Sequence, residues 1–142
     1  MTKVLLFDFY GVLFVDLKLN QKLLDYLAKI KKPACRQAGK YKLAILTSSK
    51  FLVNQPKIKQ KLDQIFIKYF FSKDLQKSKE DPEIYLQVAE KLKVKPEEIL
   101  FIDDWQQRTD AAKEAGLKTH LFNSNQELLE FLKTSVFIST SL

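Results

Sequence analysis

Cysteine and histidine are almost missing: Cys35 and His120 are the single examples of each among 142 residues. Cys35 has no second cysteine with which to form an internal disulfide, and a Cys/His zinc cluster is excluded. A chain of this length buries about two-thirds of the surface exposed when unfolded, so it needs neither device to hold a core. A lone cysteine suits a reducing compartment. Glycine is also sparse. Gly11, Gly39 and Gly116 are scattered, so no GxGxxG fingerprint or P-loop is present, which argues against dinucleotide and Walker-type sites. Long apolar runs are absent too. The opening MTKVLLFDFYGVLFV is interrupted by Asp8 and no small-residue cleavage site follows, so it does not read as a secretory signal. No apolar stretch approaches the ~18–20 residues needed to cross a bilayer. The expected location is cytoplasmic, with no membrane partner.

Negative charge is missing from one region. Residues 26–62 contain ten Lys or Arg and no Asp or Glu, so the remainder of this +7 chain carries a net −3. A solvated lysine-rich surface accounts for such a run. An electropositive rim attracting phosphorylated, bulky or polyanionic substrates is the sharper alternative, and a nucleic-acid partner is another. Oligomeric state is not legible.

What is present is an alternation of short apolar runs with amphipathic stretches. Residues 3–9 (KVLLFDF), 41–47 (YKLAILT), 65–72 (IFIKYFFS), 99–103 (ILFID) and 118–122 read as strands. Helical spacing appears over residues 20–32, with Asn20 as N-cap and Pro33 beyond the end. It recurs over 82–93 behind Pro82, over 107–115 before Gly116, and over 125–133. Gly39 marks a turn. Strands alternating with helices predict a three-layer α/β/α, Rossmann-like domain over residues 1–134, built on a parallel sheet of about five strands. Residues 135–142 form a β-prone tail.

In an open parallel sheet, ligands bind at the carboxyl ends of the strands. The polar residues there are Asp8, Thr47–Ser48–Ser49 and Asp103–Asp104, with Lys79 just ahead of a helix. Such a set suits a hard cation, which prefers oxygen ligands, beside an anionic substrate. Each residue also has a plainer reading. Asp8 can be a turn residue, Thr47 a loop hydroxyl, Lys79 a surface charge, and Asp103 and Asp104 a helix-entry cap. His120 reads as structural, and Trp105 as either a pocket wall or packing.

Four segments in order resemble the haloacid dehalogenase superfamily across residues 3–122. LLFDFYGVL resembles its first motif, AILTSS its second, KEDPEIY the Lys-Pro-Asp-Pro-Glu-Ile-Tyr segment of its third, and PEEILFIDDWQQRTDAAKEAGLKT its fourth. The resemblance implies a Mg²⁺-dependent hydrolase of a phosphate ester or anhydride. Asp8 would be the nucleophile that becomes an aspartyl-phosphate. Thr47 and Ser48 would bind phosphate, and Lys79 would neutralise it and keep Asp8 ionised. Asp8, the Tyr10 carbonyl and Asp104 would hold Mg²⁺, with Asp103 supporting Lys79 or the metal shell.

Two positions depart from the hydrolase pattern. Tyr10 stands where phosphatases of the superfamily carry their general acid/base Asp, and the dehalogenase branch commonly has Tyr there. Arg108 stands where relatives usually carry Asp or Asn, and could pair with Asp103 or Asp104 or bind substrate phosphate. Losing a general acid costs ~10²–10⁴ in rate, so slow turnover is implied. Only 38 residues separate Asp8 from Thr47, enough for a flap over residues 11–16, a helix and a turn. No large cap is expected. Three readings remain: a capless phosphatase-type hydrolase, a catalytically inactive binding or regulatory domain of the same fold, and a 2-haloacid dehalogenase.

Overall fold

The computed structural model describes residues 1–31 and 41–137. The expectations for Pro33, Cys35 and Gly39 lie outside the described residues. Five parallel strands make the main sheet: β1 (Val4–Phe7), β4 (Lys42–Thr47), β5 (Lys68–Phe71), β6 (Ile99–Asp103) and β7 (Lys118–Leu121). Their order is β5-β4-β1-β6-β7. A small antiparallel pair, β2 (Phe14–Val15) and β3 (Lys18–Leu19), stands apart.

The central strands are apolar on both faces because both are covered. Leu5 and Phe7 of β1, with Leu43, Ile45, Leu100 and Ile102, pack against Leu23, Leu24 and Leu27 of α1 (Gln21–Lys31) and Leu128 of α6 (Asn125–Phe131). The alternate residues Val4 and Leu6, with Leu46 and Phe101, meet Ile84, Tyr85 and Val88 of α4 (Pro82–Leu92) and Ala111 and Ala112 of α5 (Gln106–Glu114). The period-two side-chain alternation of a strand thus divides the core in two, with the sheet between. This is the three-layer architecture expected, and no large cap is present among the described residues.

Sequence signals for element ends are realised in detail. Asn20 Oδ1 accepts from Leu23 N at 3.4 Å at the head of α1. Asp81 accepts from Glu83 N at 3.0 Å ahead of Pro82. Gly116 has φ +100, the left-handed conformation that ends α5. α1 and α6 are joined by reciprocal amide bonds between Asn20 and Asn125, of 2.8 and 2.9 Å.

Three stretches differ from expectation. The flap expected over residues 11–16 is a turn that runs into a tight hairpin over residues 14–19, and Asp16 and Leu17 take positive φ at its tip, the geometry of a type I′ turn. Between β4 and β5 lie a 3₁₀ turn (Phe51–Asn54) and α2 (Pro56–Asp63), where no helix was anticipated. The expected third strand over residues 65–72 shrinks to Lys68–Phe71. Ile65 and Phe66 are buried at the end of the α2 turn instead, and Ser72 opens a short helix, α3 (Ser72–Leu75). After α6 the backbone continues as a π-type turn over Leu132–Phe137, and residues 138–142 lie outside the described residues.

Candidate active site

The connections leaving β1 and β6 pass to opposite faces of the sheet, α1 to one and α5 to the other. The ends of these two adjacent strands therefore flank a topological switch point, where the sheet leaves a crevice. Phe7 pairs with Ile102 and Asp8 N donates to Ile102 O at 2.9 Å, so Asp8 and Asp103 emerge side by side. Phe7 pairs with Ile45 on the other side, which sets Thr47 at the neighbouring strand end.

Lys79 reaches this crevice from the loop before α4. Its Nζ lies 2.5 Å from Asp8 Oδ1 and 3.0 Å from Asp103 Oδ2, and donates to Leu46 O at 3.1 Å. Lys79, Asp8 and Asp103 are each no more than 2% exposed. The loop is pinned from below, because the Tyr85 hydroxyl donates to the Lys79 carbonyl at 2.5 Å. Asp103 Oδ1 accepts from Trp105 N at 3.0 Å. Thr47, buried, accepts at Oγ1 from Ser49 N at 3.2 Å, which leaves its hydroxyl proton for another acceptor.

One ammonium does not balance these carboxylates. Carboxylate oxygens of Asp8, Asp103 and Asp104 lie within 4.8 Å of one another. Burial pushes the Asp8 carboxyl up to about 7, against the downward pull of Lys79, and the Asp103 charge adds to the rise. Burial also raises Asp104, helped by the adjacent Asp103 carboxylate. Asp8 Oδ2 is buried with no hydrogen-bond partner among the described residues, and Asp103 Oδ2 has only its ion-pair contacts. An all-oxygen donor set with unsatisfied negative charge fits a hard dication, whose charge would lower both carboxyls again.

Gly11 forms the opposite wall. Its φ is +88, and a Cβ built on it would collide with the Asp104 carboxylate. Only glycine meets both conditions. Tyr10 is exposed, and its ring packs with Phe9, Phe14 and Phe51 at centroid distances of 5.1, 5.8 and 5.7 Å. Ser48 is exposed beside Thr47. Arg108 places Nη1 3.9 Å from Asp103 Oδ2 and Nε 3.4 Å from Glu80 Oε1.

The structure thus brings Asp8, Lys79, Asp103, Asp104 and Arg108 together, with Thr47 at the next strand end. His120 lies on β7 against Phe131 at 4.6 Å and takes no part in this cluster. Two participants went unread in the sequence: Glu80, which binds Arg108, and Tyr85, which holds the Lys79 loop. Glu80 adjoins Lys79, and that adjacency was the available signal. Tyr85 reads simply as an apolar-face residue of α4, and its hydroxyl gives no sign in the sequence of where it points.

Comparison with known proteins agrees with this fold. A haloacid dehalogenase-like hydrolase family model matches residues 22–116, which include Thr47, Lys79, Asp103 and Asp104 but begin after Asp8. The chain belongs to the haloacid dehalogenase-like hydrolase family. A phosphorylated carbohydrates phosphatase of Thermotoga maritima is 32% identical over 100 residues, covering 66% of this chain and 46% of that protein. The chain therefore spans about half the length of this curated relative. Among solved structures, a predicted HAD-like family hydrolase of Porphyromonas gingivalis has a TM-score of 0.74 at 18% identity, covering 95% of this chain and all of that one. A HAD family enzyme of Bacteroides thetaiotaomicron, in complex with magnesium and inorganic phosphate, has a TM-score of 0.62 at 24% identity, covering 78% and 57%. At these identities the structural likeness speaks to the fold.

Proposed function

We propose that this chain is a Mg²⁺-dependent phosphatase acting on a phosphate ester or anhydride, with Asp8 as nucleophile. The observation that carries the reading is the buried Asp8–Lys79–Asp103 cluster beside Asp104 at the switch point of the sheet. Asp8 and Asp104 would hold the metal with the Tyr10 carbonyl, and Asp103 would complete its surroundings. A bound dication supplies charge neutralisation for phosphoryl transfer, in which positioning and electrostatics dominate.

The chain's own groups account for the rest. A carboxylate oxygen of Asp8 attacks phosphorus, the bond to the departing oxygen breaks, and an aspartyl-phosphate remains for water to hydrolyse. Lys79 opposes the effect of burial and favours ionised Asp8. The Thr47 proton and Ser48 serve the phosphate oxygens. Tyr10 occupies the place of a general acid with its ring in an aromatic cluster, so leaving groups that need a proton depart slowly. The Thermotoga relative makes phosphorylated carbohydrates the first substrate class to examine.

A second reading, an inactive binding domain, draws on Arg108, whose charge near Asp103 competes with a cation. Turnover of p-nitrophenyl phosphate and acetyl phosphate, with and without Mg²⁺, separates the two, with Asp8→Asn as control. Mg²⁺-dependent turnover lost in Asp8→Asn supports the phosphatase. No turnover of acetyl phosphate, which needs no acid, favours the binding domain.

A further inference from the structure

Arg108 has more donor capacity than its surroundings use. Its side chain is 20% exposed and approaches the same Asp103 oxygen that Lys79 contacts from the buried side. Lys79 is 1% exposed, so the two cations mark an inner and an outer end of the site. Nε makes one long bond, 3.4 Å, to Glu80, an exposed carboxylate that also accepts from the Ser78 hydroxyl. Nη1 is 3.9 Å from Asp103, beyond hydrogen-bond range. A guanidinium carries five N–H donors. Among the described residues, those on Nη1 and Nη2 meet no hydrogen-bond acceptor.

The group is nevertheless oriented. Its central carbon lies 5.6 Å from the centre of the Trp105 ring, a cation–π contact that uses no hydrogen-bond donor. Trp105 is 53% exposed, and its backbone N–H donates to Asp103 Oδ1. Asp103 already has an ion pair with Lys79 at 3.0 Å, so it does not need Arg108 as a partner. What remains is a planar fork with unused donors on the solvent side of the carboxylate cluster, a geometry that matches a carboxylate or phosphate.

We infer that Arg108 is a specificity-determining residue, taking a second anionic group carried on the leaving-group side of the substrate. The inference rests on the phosphatase reading for its placement of the reacting phosphate at Asp8. With that phosphate at the inner end, the leaving group projects outward past Arg108. The substrate class is then a phosphate monoester bearing a second carboxylate or phosphate.

Two matched pairs test this: glycerol 3-phosphate against 3-phosphoglycerate, and fructose 6-phosphate against fructose 1,6-bisphosphate. With Mg²⁺ present, kcat/KM should favour the second member of at least one pair by about tenfold, with the difference in KM. The pair that responds tells a carboxylate from a phosphate. Arg108→Gln should reduce the ratio about tenfold, and Arg108→Lys, which keeps the charge, should retain part of it. A wild-type ratio near one for both pairs, or an unchanged ratio in Arg108→Gln, overturns the inference. If none of the four is turned over, turnover of acetyl phosphate, which needs no acid, still decides the phosphatase reading on its own. The contact is then read by calorimetric binding of the same compounds with Mg²⁺. A binding preference lost in Arg108→Gln supports it, and equal binding within both pairs overturns it.

Discussion

Lys79→Met asks how the buried charges are held. The ammonium lies 2.5 Å from Asp8 Oδ1 and 3.0 Å from Asp103 Oδ2, in a setting closed to solvent. At an effective dielectric of about 20, each contact has a gross Coulomb energy of roughly 6 kcal/mol. Desolvation of the ions offsets most of this, and deleting one member of a buried ion cluster has a net cost of about 3–5 kcal/mol. Methionine preserves the unbranched stem, so lost packing is a minor part. The loss should depend on pH. Burial already pushes Asp8 up to about 7, above the 3.8 of an ordinary aspartate. Between those values the unfolded chain binds fewer protons than the folded one, so the contribution of Asp8 to stability falls as pH rises. Removing the ammonium raises Asp8 further. Urea titrations, which leave ionic strength low, should give a loss of about 3–5 kcal/mol at pH 8.5 and about half that at pH 5. At the lower pH Asp8 is neutral and only Asp103 has lost its cation. An equal loss at both pH values would refute the electrostatic account and leave Lys79 as a packing residue.

Three further outcomes follow from the same geometry. Gly11→Ala places a Cβ against the Asp104 carboxylate at φ +88. It should destabilise the fold by about 1–3 kcal/mol and weaken Mg²⁺ binding by about tenfold or more, and unchanged calorimetry would separate Asp104 from the metal. Mg²⁺ affinity should rise with pH and level off above about 7, because Asp8 must lose its proton to act as a ligand. A flat profile from pH 5.5 to 8 would place Asp8 outside the metal site. Tyr10→Asp should raise turnover of a sugar phosphate by up to ~10² while changing acetyl phosphate less, since only the ester needs a proton delivered to its leaving oxygen. Arg108→Asn belongs in the same background, and equal rates in all variants on both substrates would show that protonation does not limit the site.

The sheet was legible because β1, β4 and β6 are short, apolar and unbroken, a pattern that arises when both faces of a strand are covered. α2 was not legible for the opposite reason. In PKIKQKLD only Ile58 and Leu62 are apolar, and they are spaced by four, so the helix touches the core along a single narrow line. Three lysines on the remaining surface make it look like a basic loop. The start of β5 was blurred by the same neighbour. Ile65 and Phe66 are as apolar as any strand residue, yet they are buried by the turn that closes α2. Apolar content shows that a residue is covered, and leaves open which element covers it.

The candidate site divides along similar lines. Carboxylates at strand ends are visible because a strand that stops in Asp8 or in Asp103–Asp104 places charge where the fold has a crevice. Their placement by register needs no knowledge of side-chain direction. Arg108 is different, since helix α5 offers several directions and its charge has three candidate partners in Asp103, Asp104 and a substrate phosphate. The structure selects Glu80 and, at longer range, Asp103. Glu80 is 28 residues away in the chain and follows the one lysine that the site buries. The contact of Nε with Glu80 draws the guanidinium toward the outer side of the Asp8–Asp103–Asp104 cluster. A charge that looks incompatible with a metal in the sequence thus has a partner in a second charge, and on the proposed phosphatase reading its Nη donors would meet the leaving group.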